Sequence, residues 1–240
     1  MIRRRAVSAE ELADSFEPSL NIDGRGLEVS YGNNRVIISY RRVASRMLNY
    51  KTNFQYVHTI DFQTDNNAIL FDNVSLTSVE KYIIQALQII NPKIARINFL
   101  NVGNKRMGRE TRVPFVTFEG DDNKYLLSAM GDGINRILTI ILAMLNCKGG
   151  TLLLDEFETG LHYSVQDELW KIIFMLAEEL DIQVFATTHS NDCVNSFARV
   201  NAKNEGMVIR LEERKGNVIA VSYTNNEELK FATTNNIEIR

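Results

Sequence analysis

The chain has 240 residues, 45% of them hydrophobic and 24% charged, and a formal net charge of −3. That length and balance belong to an ordinary globular chain of one large or two modest domains, with no global electrostatic bias toward nucleic acid. The longest apolar run, Ile137 to Leu145, is broken by Thr139 and too short to span a bilayer, and the N-terminus has no apolar signal stretch. A cytoplasmic location without a membrane partner is therefore expected. Cys147 and Cys193 lack a second cysteine or a histidine at metal-ligand spacing, which argues for two buried free thiols rather than a disulfide or a zinc site. Arg3-Arg4-Arg5 and Arg41-Arg42 could touch phosphates, but a solvated surface accounts for both, so DNA is a possible partner that the sequence does not make evident.

With three prolines and no Gly/Ser-rich linker or internal repeat, the organisation must be read from patterning. Arg35 to Arg42, Phe54 to Phe62 and Ala68 to Asp72 are rich in β-branched and aromatic residues and are separated by Asn-rich turns such as Asp65-Asn66-Asn67, which predicts short strands. Residues 78–90 carry Val79, Tyr82, Ile83, Ala86, Leu87 and Ile90 at helical spacing, and Asn91-Pro92 stops the helix. Ala95 to Val102, Arg112 to Phe118 and Lys124 to Leu127 follow as an antiparallel meander, with turns expected at Gly103-Asn104 and Asp121-Asp122-Asn123.

From Ser128 onward strands alternate with longer helices, the pattern of βαβ units and a parallel sheet. Ile134 to Leu145 is apolar nearly all round and reads as a buried helix, and Thr151 to Leu154 as a central strand. A helix over Val165 to Leu180 leads into a strand at Ile182 to Ala186. Met207 to Leu211 and Val218 to Tyr223 form a hairpin, and a short helix is expected around Glu227 to Ala232. The expected division is 1–123, a mainly β region with one helix, and 124–240, an α/β lobe with a parallel sheet and flanking helices.

The chemistry sits at the ends of the apolar strands. Asp155 and Glu156 follow Thr151-Leu-Leu-Leu at the carboxyl end of a parallel strand, where open α/β sheets bind ligands. There one carboxylate can hold Mg²⁺ through its waters while its neighbour takes a proton from a water attacking a phosphate. A strand that simply ends in solvated acids explains the same residues. His189 ends a second strand one βαβ unit later, followed by Ser190 as a helix cap. Ser128-Ala-Met-Gly131-Asp132-Gly133 precedes the buried helix, and its glycines leave backbone N–H groups free to approach an anion, or else only permit a tight turn. The thirteen glycines include no Gly-Lys pair, so the phosphate loop G-x-x-x-x-G-K-[S/T] is nowhere in the 240 residues.

Taken in order, the Ser-x-x-Gly-x-Gly loop and helix, the strand ending Asp-Glu, the Gly160-Leu161-His162 turn and the strand ending Thr-His-Ser resemble the C-terminal half of ABC-type ATPase heads. The similarity is to the SMC-like and OLD-like branch of bacterial AAA-family proteins, described as ATP/GTP phosphatases. It covers residues 124–200, with the helix and meander from about Leu76 and the Ile237-Glu-Ile-Arg240 end also similar. The resemblance implies a P-loop NTPase-like fold and ATP with Mg²⁺ as ligands. It assigns Ser128, Gly131, Asp132 and Gly133 to a signature motif meeting the γ-phosphate of an opposite subunit, Asp155 to Mg²⁺ and Glu156 to the catalytic base. Gly160, Leu161 and His162 fall in a loop that crosses the dimer interface, and His189 becomes a switch histidine. ATP would then clamp two heads, in a homodimer or with a companion ATPase chain.

The resemblance also places the phosphate loop N-terminal to everything seen here, on a strand beside Leu152 to Leu154. The chain is thus expected to be a truncation, one piece of a split ATPase, or a lobe that hydrolyses nothing and lends its signature motif to a partner. A metal-dependent nuclease cluster of Asp155, Glu156, Glu158 and His162 is a further alternative.

Overall fold

The computed structural model describes residues 21–23, 26–31, 34–39, 53–59, 64–104, 109–201, 206–214 and 217–223. The chain divides into two compact units, Met1–Lys51 and Thr52–Arg240. In the first, β1 (Asn21–Asp23), β2 (Gly26–Tyr31) and β3 (Asn34–Ser39) form an antiparallel meander, with Asn21 opposite Glu28 and Gly26 opposite Ser39. The basic clusters at 3–5 and 41–42, the expected helix at 227–232 and the 237–240 end lie outside the described residues.

The second unit is built around one buried helix. It contains β4 (Phe54–Val57), α1 (Thr64–Val74), α2 (Lys81–Leu87), β5 (Ile94–Asn104), β6 (Arg109–Phe118) and β7 (Asp121–Leu126), then a 3-10 turn at Leu127–Met130 and α3 (Asp132–Leu145). Next come β8 (Thr151–Leu154), α4 (Tyr163–Glu179), β9 (Gln183–Ala186), α5 (Asn191–Val200), β10 (Val208–Arg214) and β11 (Asn217–Tyr223). Ile134, Ile137, Leu138, Ile140, Ile141 and Leu142 are all fully buried, because α1, α2 and α4 pack around α3 while β4 and β8 lie against it. Full encirclement explains why its sequence is apolar on every side. Among the described residues no helix is long and apolar enough to cross a membrane.

Two sheets flank the helices, the meander packing on α1 and α2 through β6 and β5, and the parallel sheet on α3 through β4 and β8. β5, β6 and β7 form the expected antiparallel meander, and β4, β8 and β9 form a parallel sheet in the order β4-β8-β9. The phosphate-loop strand expected beside Leu152 to Leu154 has no room there. β8 is paired on one edge with β4, Tyr56 opposite Leu153, and on the other with β9, Leu153 opposite Phe185.

Other sequence expectations also need correction. Ala68 to Asp72 is not a strand but the middle of α1, whose Ala68, Phe71 and Val74 face the core at helical spacing. Asn67, read as part of a turn, is buried and donates from Nδ2 to the Thr139 hydroxyl of α3 at 2.8 Å, so a tertiary bond overrides local turn propensity. The helix expected over 78–90 is regular only over Lys81–Leu87, with hydrogen-bonded turns on either side. Gly103-Asn104 remains in the β5–β6 ladder, and the β6–β7 turn is Glu119-Gly120, where Gly120 takes φ +73°. Asp121 to Asn123 therefore belongs to β7. The strand expected over Phe54 to Phe62 ends at Val57, and residues 60–63 lie outside the described set.

Candidate active site

The carboxyl ends of β4, β8 and β9 meet at one edge of the parallel sheet. The main-chain ladder runs past the strands into the functional residues: Asp155 N–H donates to Val57 O, Thr187 N–H to Leu154 O and Phe157 N–H to Thr187 O, all at 2.9 to 3.0 Å. Backbone pairing thus fixes where the turn after β8 begins.

Asp155 is held by two hydroxyls. Thr59, just past β4, donates to Oδ2 at 2.9 Å, and Thr187, just past β9, donates to Oδ1 at 2.9 Å. The Thr59 hydroxyl chiefly, then Thr187, hold the carboxyl below the usual aspartate value, with His58 and Arg136 adding favourable charge. Thr187 also accepts the Glu156 N–H at 3.0 Å, so one hydroxyl ties β9 to both carboxylate residues. An ionised carboxylate framed by oxygen-bearing side chains fits a hard divalent cation such as Mg²⁺, bound directly or through water.

Glu156 has φ +44°, a left-handed conformation that costs a non-glycine residue roughly 1 kcal/mol or more and that surrounding bonds must impose. Its Oε2 accepts from Thr159 Oγ1 at 3.0 Å, which turns the side chain along the loop rather than into the core. Phe157 is fully buried and stacks on Trp170 with ring centroids 4.0 Å apart and planes 11° from parallel. That stack anchors the turn to α4.

Glu158 secures the loop that carries His189. Its Oε2 accepts from Thr188 Oγ1 at 2.6 Å and its Oε1 from His189 N–H at 2.9 Å. His189 is exposed, and Ser190 accepts from Cys193 N–H as the expected cap of α5. Glu158 is thereby occupied in binding the next loop. Among the described residues no group of three or more His, Cys, Asp or Glu side chains could hold a metal ion, which gives the nuclease cluster no geometric support.

The glycine elements converge as well. Gly131 takes φ +99° at the start of α3, and a Cβ on Gly133 would meet Gly160 O at 2.8 Å. Only glycine permits that approach, so the Ser128-to-Gly133 loop and the Gly160-Leu161-His162 turn share one surface. Ser128 and Asp132 are exposed on it, Leu161 is buried beneath, and His162 caps α4 by accepting the Ser164 N–H.

Sequence reading missed Thr59 and Arg136, and it placed Glu158 only in the alternative nuclease cluster, not in the loop-binding role it has here. Thr59 lies in a segment read as uninterrupted strand, and Arg136 is one charge in an otherwise apolar helix. Nothing in the local pattern marks either, since each acts on residues far away in sequence.

A model of the AAA ATPase domain matches residues 6–194, and the chain belongs to that family. A protein of Helicobacter pylori called ATP/GTP phosphatase is 36% identical to it over 80 residues, which are 32% of this chain and 22% of that protein. The chain therefore matches well under two thirds of that relative's length. Among solved structures, an Smc head bound to the C-winged helix domain of ScpA is 11% identical with a TM-score of 0.47, over 72% of this chain and 54% of the other. A structure from work on ATP-driven dimerization and DNA-stimulated activation of SMC ATPases is 13% identical with a TM-score of 0.46, over 72% of this chain and 98% of that one. Family membership agrees with the resemblance carried by the sequence motifs at the level of an AAA-type ATPase.

Proposed function

We propose that this chain is the carboxylate-bearing lobe of a cytoplasmic, ATP-hydrolysing head of ABC type, which ATP closes against a second head. The observation that carries this reading is the convergence of Asp155, Glu156 and the His189 loop at the carboxyl edge of one parallel sheet, with Asp155 held ionised by two threonine hydroxyls. In this reading Glu156 accepts the proton of the attacking water, and His189 reaches the γ-phosphate from the next strand. Asp155 would hold Mg²⁺, which when bound neutralises charge on the phosphate oxygens. Ser128, Gly131, Asp132 and Gly133 present backbone donors at the N-terminus of α3 to the γ-phosphate of an opposite head, and the adjoining Gly160-Leu161-His162 turn lies in the contact.

The phosphate loop would come from other sequence or from a companion chain. A sheet face left open among the described residues supports that part. Phe54, Tyr56, Leu153 and Phe185 lie on one face with 46%, 44%, 36% and 57% of their surface exposed, whereas a parallel sheet is ordinarily covered on both sides. A second reading, in which the lobe only lends its signature loop to a partner ATPase, is favoured by the lack of any Gly-Lys-[S/T] in the 240 residues.

Mg-ATP binding to the purified chain, with Glu156→Gln alongside and light scattering for assembly, separates these readings. Once a phosphate loop is supplied, Glu156→Gln should abolish hydrolysis while preserving ATP-dependent dimerisation. Unchanged turnover in that variant would remove Glu156 as the base. A well-folded chain that ignores ATP but stimulates a partner ATPase would establish the second reading.

A further inference from the structure

Arg136 is 1% exposed on the apolar helix α3, and among the described residues it forms no salt bridge and its Nε has no acceptor. Its guanidinium is spent on main chain. Nη1 donates to His58 O at 2.6 Å, and Nη2 donates to Asp155 O at 2.6 Å and Glu156 O at 3.1 Å. These three carbonyls lie where β4 and β8 leave the sheet. Burial pulls the Arg136 pKa down, and the negative charges of Asp155, Glu156 and Glu158 act against that pull.

We propose that Arg136 is a positioning residue that couples α3 to the backbone of the catalytic turn, so that a shift of α3 repositions the Glu156 carboxylate. Two contacts make the coupling stiff. Gly133, one turn earlier on α3, abuts Gly160 O, and Arg136 grips the carbonyls of Asp155 and Glu156. The segment from Asp155 to Gly160 is therefore pinned to the first two turns of α3 at both of its ends. The guanidinium fork also holds a residue whose φ is +44°, a conformation that would relax without an imposed hydrogen bond. Lysine, a compact point charge without a planar fork, would have to serve from one nitrogen the carbonyls that Arg136 divides between Nη1 and Nη2. Resting on the hydrolytic reading, this coupling lets a phosphate engaged by Ser128, Gly131 and Gly133 on one head alter the base of that same head.

Trp170, the only tryptophan in the chain, stacks on Phe157 next to Glu156 and so reports the turn directly without nucleotide. Arg136→Lys in the full chain should keep its far-UV circular dichroism and cooperative unfolding. Acrylamide quenching of Trp170 should rise about twofold or more as the turn loosens. Ile83→Val, a change in a fully buried residue of α2, should leave quenching at the wild-type value. In a head completed by a phosphate-loop segment, Arg136→Lys should lower kcat about tenfold with KM unchanged. A folded Arg136→Lys chain with wild-type quenching would overturn the proposal, as would raised quenching with unaltered kcat. Loss of cooperative folding in Arg136→Lys would make Arg136 a folding residue and overturn it too. A completed wild-type head without turnover would sink the hydrolytic reading while leaving the Trp170 result to stand.

Discussion

Replacing Gly133 by alanine sets two effects of opposite sign against each other. In a helix, alanine is favoured over glycine by up to about 1 kcal/mol, so backbone propensity alone would stabilise α3. The added Cβ, however, would lie 2.8 Å from Gly160 O, a backbone atom in a turn whose own φ is +76°. Ordinary contact needs roughly half an ångström more, and the turn cannot yield freely because Arg136 and the Phe157–Trp170 stack hold it. Overpacking of that kind costs about 1–3 kcal/mol. Since only part of the propensity gain applies in the first turn, the net is a loss of about 1–2 kcal/mol, or roughly 2–8 °C in Tm for a chain of this size. Thermal unfolding followed by circular dichroism reads it, with Gly131→Ala for comparison. Gly131 has φ +99° and nothing within 4 Å of an added Cβ, so its loss reflects backbone strain alone. A Gly133→Ala chain as stable as wild type, or more so, would refute the close approach of the two loops.

Phe157→Ala should cost about 3–5 kcal/mol in urea unfolding and shift Trp170 emission to the red, because a fully buried ring and its stacking partner are separated. Thr187→Val removes one of the two hydroxyls on Asp155. Because the Asp155 pKa is depressed in the fold, its contribution is present above the unfolded value of 3.8 and is lost as pH falls through the lower folded value. The variant should therefore lose stability at a higher pH than wild type when acid unfolding is compared below pH 4. Burial pushes the Cys147 thiol up to about 11 and Cys193 up to about 12, from 9.0. Neither should react with a thiol reagent in the native chain at pH 8. Stability should fall as pH rises above 9 through those values, because the unfolded thiols ionise first.

How much was legible depends on the range over which each residue acts. The buried helix, the meander and the βαβ alternation follow from periodicities that span one element, and the motifs at Asp155, Glu156 and His189 stand at strand ends that such periodicities locate. Ala68 to Asp72 misled because its β-branched and aromatic content is a local signal, whereas the helix is set by Asn67 bonding to Thr139 and by Phe71 and Val74 reaching the core. The sheet order was out of reach for a similar reason. Nothing near Phe54 says that it pairs with Thr151, and only that pairing shows that β8 has no free edge. Within the site, Glu158 and Arg136 were hidden because a carboxylate that binds a neighbouring loop, and an arginine that binds carbonyls, look the same in sequence as any other charge.

The pairing of β4 with β8 also governs when the site comes into being. Thr59 and Asp155 lie 96 residues apart in sequence, and the segment between them holds the meander and three helices. Contacts of such separation bear their loop-closure entropy before any pairing rewards it, which makes them late and slow. The carboxylate edge is therefore expected to be complete only once β4 and β8 have met, however early the separate strands and helices take shape.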